Sequence, residues 1–139
     1  MKILVVDDEP AIRFALTELL GDDGHDVRAA EHAPQALAMM EGDAADLVIS
    51  DLQMPAMSGL QLLEEIRLRH PAALFVLLTA QGDERTAVQA LKEGAFDYVP
   101  KPFENEELRA LVKRAAELLS LRTENQRLRA ELAPEFRGL

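Results

Sequence analysis

The chain has no cysteine and no tryptophan, one tyrosine, and 15 Lys+Arg residues against 25 Asp+Glu. Without cysteine there is no disulfide framework and no thiolate site, as suits a cytoplasmic protein. A formal net charge of -10 offers no basic face to a phosphate backbone, so direct nucleic-acid binding by this chain is not expected. No apolar run approaches the roughly 20 residues that span a bilayer, and no membrane association is expected. The opening Met1-Lys2-Ile3-Leu4-Val5-Val6 is too short for a signal peptide and meets Asp7-Asp8 at once. A Walker loop is missing as well. The turn after the first apolar run, Asp7-Asp8-Glu9-Pro10, has none of the glycine that a dinucleotide pyrophosphate requires.

What is present is a repeating pattern of apolar runs and amphipathic segments, within a length of 139 residues that suits one domain plus a modest extension. Lys2–Val6 reads as a strand. Pro10 suits the first turn of a helix whose inward face is Ile12, Leu16, Leu19 and Leu20 with Ala15 beside them, ended by Gly21 and Gly24. His25–Ala29 is a short second strand, less apolar and so nearer an edge. A helix from Pro34 to about Glu41 carries Ala36, Leu37 and Met40 inward. Leu47-Val48-Ile49-Ser50 is a β-branched run buried on both faces, ending at Asp51. Leu60, Leu63, Ile66 and Leu68 form an amphipathic helix that must stop before His70-Pro71. Leu74–Thr79 is a fourth strand, and Ala87, Val88, Ala90 and Leu91 give a helix closed by Gly94. Phe96–Val99 is the last strand. From Glu104 a helical pattern runs without Gly or Pro to Pro134, where it should break.

Five βα units predict an α/β fold, a parallel sheet with helices on both faces. The flavodoxin-like strand order 2-1-3-4-5 is one of the two common solutions. In such sheets ligands bind outside the carboxyl ends of the strands. Those ends carry Asp7 and Asp8, Asp51, Thr79 and, beyond the fifth, Lys101. Three carboxylates at one sheet edge need compensating charge, and a hard divalent cation such as Mg²⁺ supplies it. Lys101 adds a point charge able to pair with Asp51 or a phosphoryl oxygen, and Thr79 adds a hydroxyl. The set suits in-line phosphoryl transfer to a carboxylate. His25, His32 and His70 have no metal-ligand spacing and read as surface or helix-end residues.

Val5-Val6-Asp7-Asp8-Glu9, Ser50-Asp51-Leu52-Gln53-Met54-Pro55 with Met57-Ser58-Gly59, Leu78-Thr79-Ala80 and Lys101-Pro102-Phe103 occur in this order. Over residues 1–116 the chain resembles response-regulator receiver domains. That resemblance implies a flavodoxin-like (βα)5 doubly wound sheet of order 2-1-3-4-5. It implies that Asp51 accepts a phosphoryl group from a phosphohistidine of a sensor histidine kinase. Asp8 and Asp51 would then bind Mg²⁺ directly, Asp7 largely through water, and the backbone carbonyl of Gln53 would complete the site. Lys101 matches the family's lysine, with a cis bond to Pro102, and Thr79 with Tyr98 matches its switch pair.

Residues 117–139 read as a linker helix and short coiled coil. Leu118, Leu121, Asn125, Leu128 and Leu132 are spaced 3, 4, 3, 4, a heptad seam with Asn125 at an a position. About two heptads are marginal alone, but beside a dimerising domain they predict a homodimer. Pro134-Glu135-Phe136-Arg137-Gly138-Leu139, together with Leu78-Thr79-Ala80-Gln81-Gly82 and the Thr86–Tyr98 run, resembles NtrC-like, sigma-54-dependent transcription activators. That likeness implies an effector carrying ATPase and DNA-binding domains in a larger protein. Two other functions fit parts of the pattern. A phosphatase with an aspartyl intermediate would usually have a second Asp two residues after Asp51 as acid or base, where Gln53 stands with no proton to give at neutral pH. A constitutive dimerisation module would not need all five site residues.

Overall fold

A computed structural model of the chain describes residues 1–137, with side-chain environments to residue 132. Five strands, β1 Lys2–Val6, β2 Asp26–Ala30, β3 Leu47–Asp51, β4 Leu74–Thr79 and β5 Asp97–Pro100, alternate with five helices. The helices are α1 Pro10–Asp22, α2 Ala33–Gly42, α3 Gly59–Arg69, α4 Glu84–Lys92 and α5 Asn105–Arg137. All strand pairs are parallel and the sheet order is β2-β1-β3-β4-β5. This is the doubly wound flavodoxin-like arrangement.

The alternation of side chains along each strand divides the core into two layers. Leu4, Val6, Val48, Phe75 and Leu77 meet Ala36, Leu37 and Met40 of α2, Leu62, Leu63 and Ile66 of α3, and Ala90 of α4. Ile3, Val5, Ile49, Val76 and Leu78 meet Leu16, Leu19 and Leu20 of α1, and Leu108, Leu111, Val112 and Ala115 of α5. Because β1, β3 and β4 are covered on both faces, they are apolar along their middles, with polar Ser50, Asp51 and Thr79 only at the carboxyl ends of β3 and β4. β2, an edge strand, is only partly buried.

Several expectations need correction. Leu68 lies 79% exposed, while Leu62 takes the inward place; the helical stripe is Leu62, Leu63 and Ile66. Ala15 is exposed on α1. On α4 only the small Ala87 and Ala90 are buried, and Val88 and Leu91 face outward. The helix lies close to the sheet, with the long side chains on its outer rim. Most unexpected, α5 passes Pro134 and stays helical to Arg137. Pro134 falls in its last turn, so the missing N–H leaves one carbonyl near the helix end without its helical donor, and water can donate there instead. Gly138 and Leu139 lie outside the described residues.

The helix starts and stops follow local chemistry. Ser58 and Gln61 form a reciprocal capping box at the start of α3. His32 caps α2, its Nδ1 accepting the Gln35 N–H at 3.1 Å, so this histidine is structural. Gly94 follows α4 with φ +108, in the left-handed region that ends helices. Beyond the body, Leu118 and Leu119 are partly buried against the α1/α5 layer, and Arg122 Nη1 reaches the Ala72 carbonyl at 3.4 Å. Leu121, Leu128 and Leu132 are 66%, 46% and 48% exposed, and Asn125 is exposed beside them.

Candidate phosphoacceptor and metal site

Asp7, Asp51, Thr79 and Lys101 are the last residues of their strands or the first beyond them, with Asp8 one residue further on, and backbone bonds to neighbouring strands hold the strand ends in place. The Asp7 N–H donates to the Ala30 carbonyl at 3.2 Å, one residue past β1. Asp51 ends β3 in register with Leu78, and Leu52 N–H continues that ladder to the Leu78 carbonyl at 3.0 Å. The Lys101 N–H donates to the Thr79 carbonyl. Four strands therefore deliver their chemistry to one edge with backbone precision.

Asp7, Asp8 and Asp51 come together there, each offering a carboxylate oxygen within 4.8 Å of the others. Asp7 is fully buried and Asp51 is 6% exposed, whereas Asp8 is open to solvent. Lys101 Nζ lies 3.1 Å from Asp7 Oδ2 and 3.4 Å from Asp51 Oδ2. The lysine thus pairs with Asp51, one of the two partners its charge suits, and makes a shorter contact with Asp7. Burial pushes the Asp51 carboxyl above its ordinary range, and the Asp7 charge adds to this. Lys101 and a hydrogen bond from the Gln53 backbone oppose the shift. For Lys101, burial favours the neutral amine, but the charges of Asp7 and Asp51 outweigh it and hold the ammonium above its usual value.

One ammonium beside three carboxylates leaves an excess of negative charge. An all-oxygen donor set with an exposed member fits a small hard cation that keeps part of its water. Thr79 is 3% exposed. With Tyr98, Gln81, Glu84 and Lys101 it borders an open cleft of about 340 Å³. Tyr98 is partly buried against the α2–α4 layer. Gln53 is exposed two residues past Asp51. The Lys101–Pro102 bond is cis.

Two further residues shape the site: Gly59, known from the sequence only as part of a motif, and Arg13, which the sequence reading passed over. Gly59 starts α3 so close to β3 that a Cβ there would collide with the Asp51 carbonyl oxygen, with Leu77 Cδ1 at 2.9 Å and Leu52 Cα at 3.0 Å. Arg13 of α1 donates from Nη1 to the Asp7 carbonyl oxygen at 2.7 Å. A cation in the opening turns of a helix opposes the helix dipole, and that oddity is the one signal the sequence carried.

A parallel five-stranded sheet with this acidic edge and lysine defines a class, and comparison with known proteins agrees. The chain belongs to the response regulator receiver domain family, whose sequence model matches residues 3–113. It is 42% identical over 113 residues to the DNA-binding transcriptional regulator NtrC of Salmonella typhimurium, covering 81% of this chain and 24% of that protein. NtrX of Brucella abortus is 39% identical, with a TM-score of 0.87 over 92% of this chain and 29% of that one. A receiver domain protein from Clostridium thermocellum gives a TM-score of 0.82 at 36% identity, over 86% and 97% of the respective chains. The chain thus spans about a quarter of the length of the curated relatives it matches. Among the described residues no helix is long and apolar enough to cross a membrane.

Proposed function

We propose that this chain is the phosphorylation-controlled switch of a two-component regulator, taking a phosphoryl group on Asp51 from a phosphohistidine of a sensor histidine kinase. The observation that carries this reading is the position of Asp51 at the end of β3, within reach of Asp7, Asp8 and Lys101. Asp8 and Asp51 would hold Mg²⁺ directly, with Asp7 acting through water and the Gln53 carbonyl completing the site. The ion would neutralise charge between Asp51 and the incoming phosphoryl oxygens. Lys101 would take one of those oxygens in exchange for its contact with Asp51, while keeping Asp7. The Asp51 oxygen attacks phosphorus in line as the bond to the donor imidazole breaks, and that nitrogen keeps the electron pair. The Gln53 carboxamide cannot take a proton from an attacking water, so turnover is slow and the chain acts as a switch rather than an enzyme.

The Thr79 hydroxyl would then turn toward the phosphoryl group, and Tyr98 would enter the space it leaves. Their common cleft supports this coupling, a local charge event biasing a two-state surface. Residues 1–116 would form the receiver and 117–139 the linker. Leu118, Leu121, Asn125, Leu128 and Leu132 would pair with the same residues of a second copy. The exposure of Leu121, Leu128 and Leu132 favours this pairing. In the full-length protein the output would pass to ATPase and DNA-binding domains of a sigma-54-dependent activator, in the cytoplasm.

The test is phosphorylation by acetyl phosphate with Mg²⁺, followed by intact mass. The wild type should gain one phosphoryl group and Asp51→Asn none. A variant that is modified as readily as the wild type would remove Asp51 from its role.

A further inference from the structure

Arg13 has no part in the phosphoryl-transfer reading, yet it is tied into the acidic turn. Its side chain is 17% exposed and spans two partners. Nη1 donates to the Asp7 carbonyl oxygen at 2.7 Å, and Nη2 lies 3.8 Å from Glu31 Oε1, in the loop after β2. The Arg13 N–H donates in turn to the Glu9 carbonyl at 3.1 Å, closing the first turn of α1.

The hydrogen bonds of Asp7 show what this contact governs. The Asp7 N–H is held by Ala30, Oδ1 accepts the Glu9 N–H at 2.9 Å, and Oδ2 accepts from Lys101 at 3.1 Å. The carbonyl is the remaining polar group, and Arg13 takes it. That carbonyl shares one rigid peptide plane with the nitrogen of Asp8. Fixing the direction of the carbonyl therefore fixes the plane from which Asp8 departs. Asp8 is the exposed member of the acidic trio, without the burial that holds Asp7 and Asp51. Its carboxylate takes its starting point from the backbone.

We propose that Arg13 is a positioning residue for the cation site. Held between Asp7 and Glu31, it sets the peptide plane that aims Asp8 at the ion. This rests on the reading of Asp7, Asp8 and Asp51 as a Mg²⁺ site.

Charge and positioning act here in opposite directions, which makes the role testable. As a charge, Arg13 repels a divalent cation, so removing it should tighten binding. As a positioning group, its removal should loosen binding, since outer partners of a metal ligand typically carry about tenfold or more in affinity. Lysine keeps the charge but cannot span both partners as the guanidinium fork does. Titration calorimetry with MgCl₂ on wild type, Arg13→Gln and Arg13→Lys separates the two effects. Arg13→Gln should bind about tenfold more weakly, and Arg13→Lys should fall between it and the wild type. Phosphorylation by acetyl phosphate should need correspondingly more Mg²⁺ for half-saturation, with the plateau rate largely restored at high Mg²⁺. Arg13→Gln binding as tightly as the wild type, or more tightly, overturns the proposal. Should circular dichroism find Arg13→Gln unfolded, Arg13→Lys decides: weakened binding supports the proposal and unchanged binding overturns it. A wild type that binds no Mg²⁺ overturns the reading of the site itself, and this proposal with it.

Discussion

Replacing Gly59 by alanine probes how tightly the start of α3 is pressed against the phosphoacceptor strand. Gly59 is buried, and its N–H donates to the Leu52 carbonyl at 2.9 Å. An added methyl group would meet the Asp51 carbonyl oxygen, Leu52 Cα and Leu77 Cδ1. Two opposing effects can be weighed. Alanine gains at most about 1 kcal/mol of helix propensity over glycine, and less in a first turn. Overpacking a close contact costs about 1–3 kcal/mol. Two of the three obstacles are backbone atoms of β3 and the residue after it, and β3 is paired on both sides with β1 and β4. The obstruction therefore cannot relax by a rotamer change, and the upper end of that range applies. A net loss of about 2 kcal/mol follows, or a fall in Tm of roughly 5–10 °C for a domain of this size. Thermal and urea unfolding followed by circular dichroism measure it. Adding Leu77→Ala should not rescue the variant, because the side chain is the lesser obstacle. A Gly59→Ala protein as stable as the wild type would refute the close approach of α3 to Asp51.

Two further predictions concern charge and assembly. Burial raises the Asp51 pKa, so the stability it contributes is full below the ordinary Asp range and is lost as pH rises through its native-state value. Asp51→Asn should therefore be more stable than the wild type at pH 7 without Mg²⁺, the gain vanishing below about pH 4; an equal gain in urea midpoint at both pH values would contradict this. Leu121, Leu128 and Leu132 are left exposed in the single chain, so sedimentation should find a dimer that Leu128→Glu weakens or abolishes. A wild-type monomer at high micromolar concentration, with and without beryllofluoride and Mg²⁺, would refute the seam.

Most of the sheet was legible because burial on both faces demands apolar runs, and Leu4, Val48 and Phe75 have no polar neighbours to confuse the pattern. Strand order needed the family resemblance, since periodicity alone leaves two common topologies open. The strand-end residues were legible for the same topological reason: parallel strands send Asp7, Asp51 and Thr79 to one edge. What stayed hidden was close approach. Nothing local marks Gly59 as a contact point with Asp51, and the alanine at position 56 gives no sign of its φ of +70. Helix faces were read least well where a stripe is narrow, as at Leu68, or where small residues are the buried ones, as on α4. The bond from Arg13 to Asp7 depends on where α1 lies over β1, which is a tertiary fact.

The central claim is that Asp51 itself receives the phosphoryl group, and locating the modified residue tests it most directly. The wild type is treated with acetyl phosphate and Mg²⁺, the acyl phosphate is reduced with borohydride, and the product is digested and mapped by mass spectrometry. The account predicts homoserine at position 51, with Asp7 and Asp8 unchanged. Homoserine at Asp7 or Asp8, with aspartate intact at 51, would contradict it.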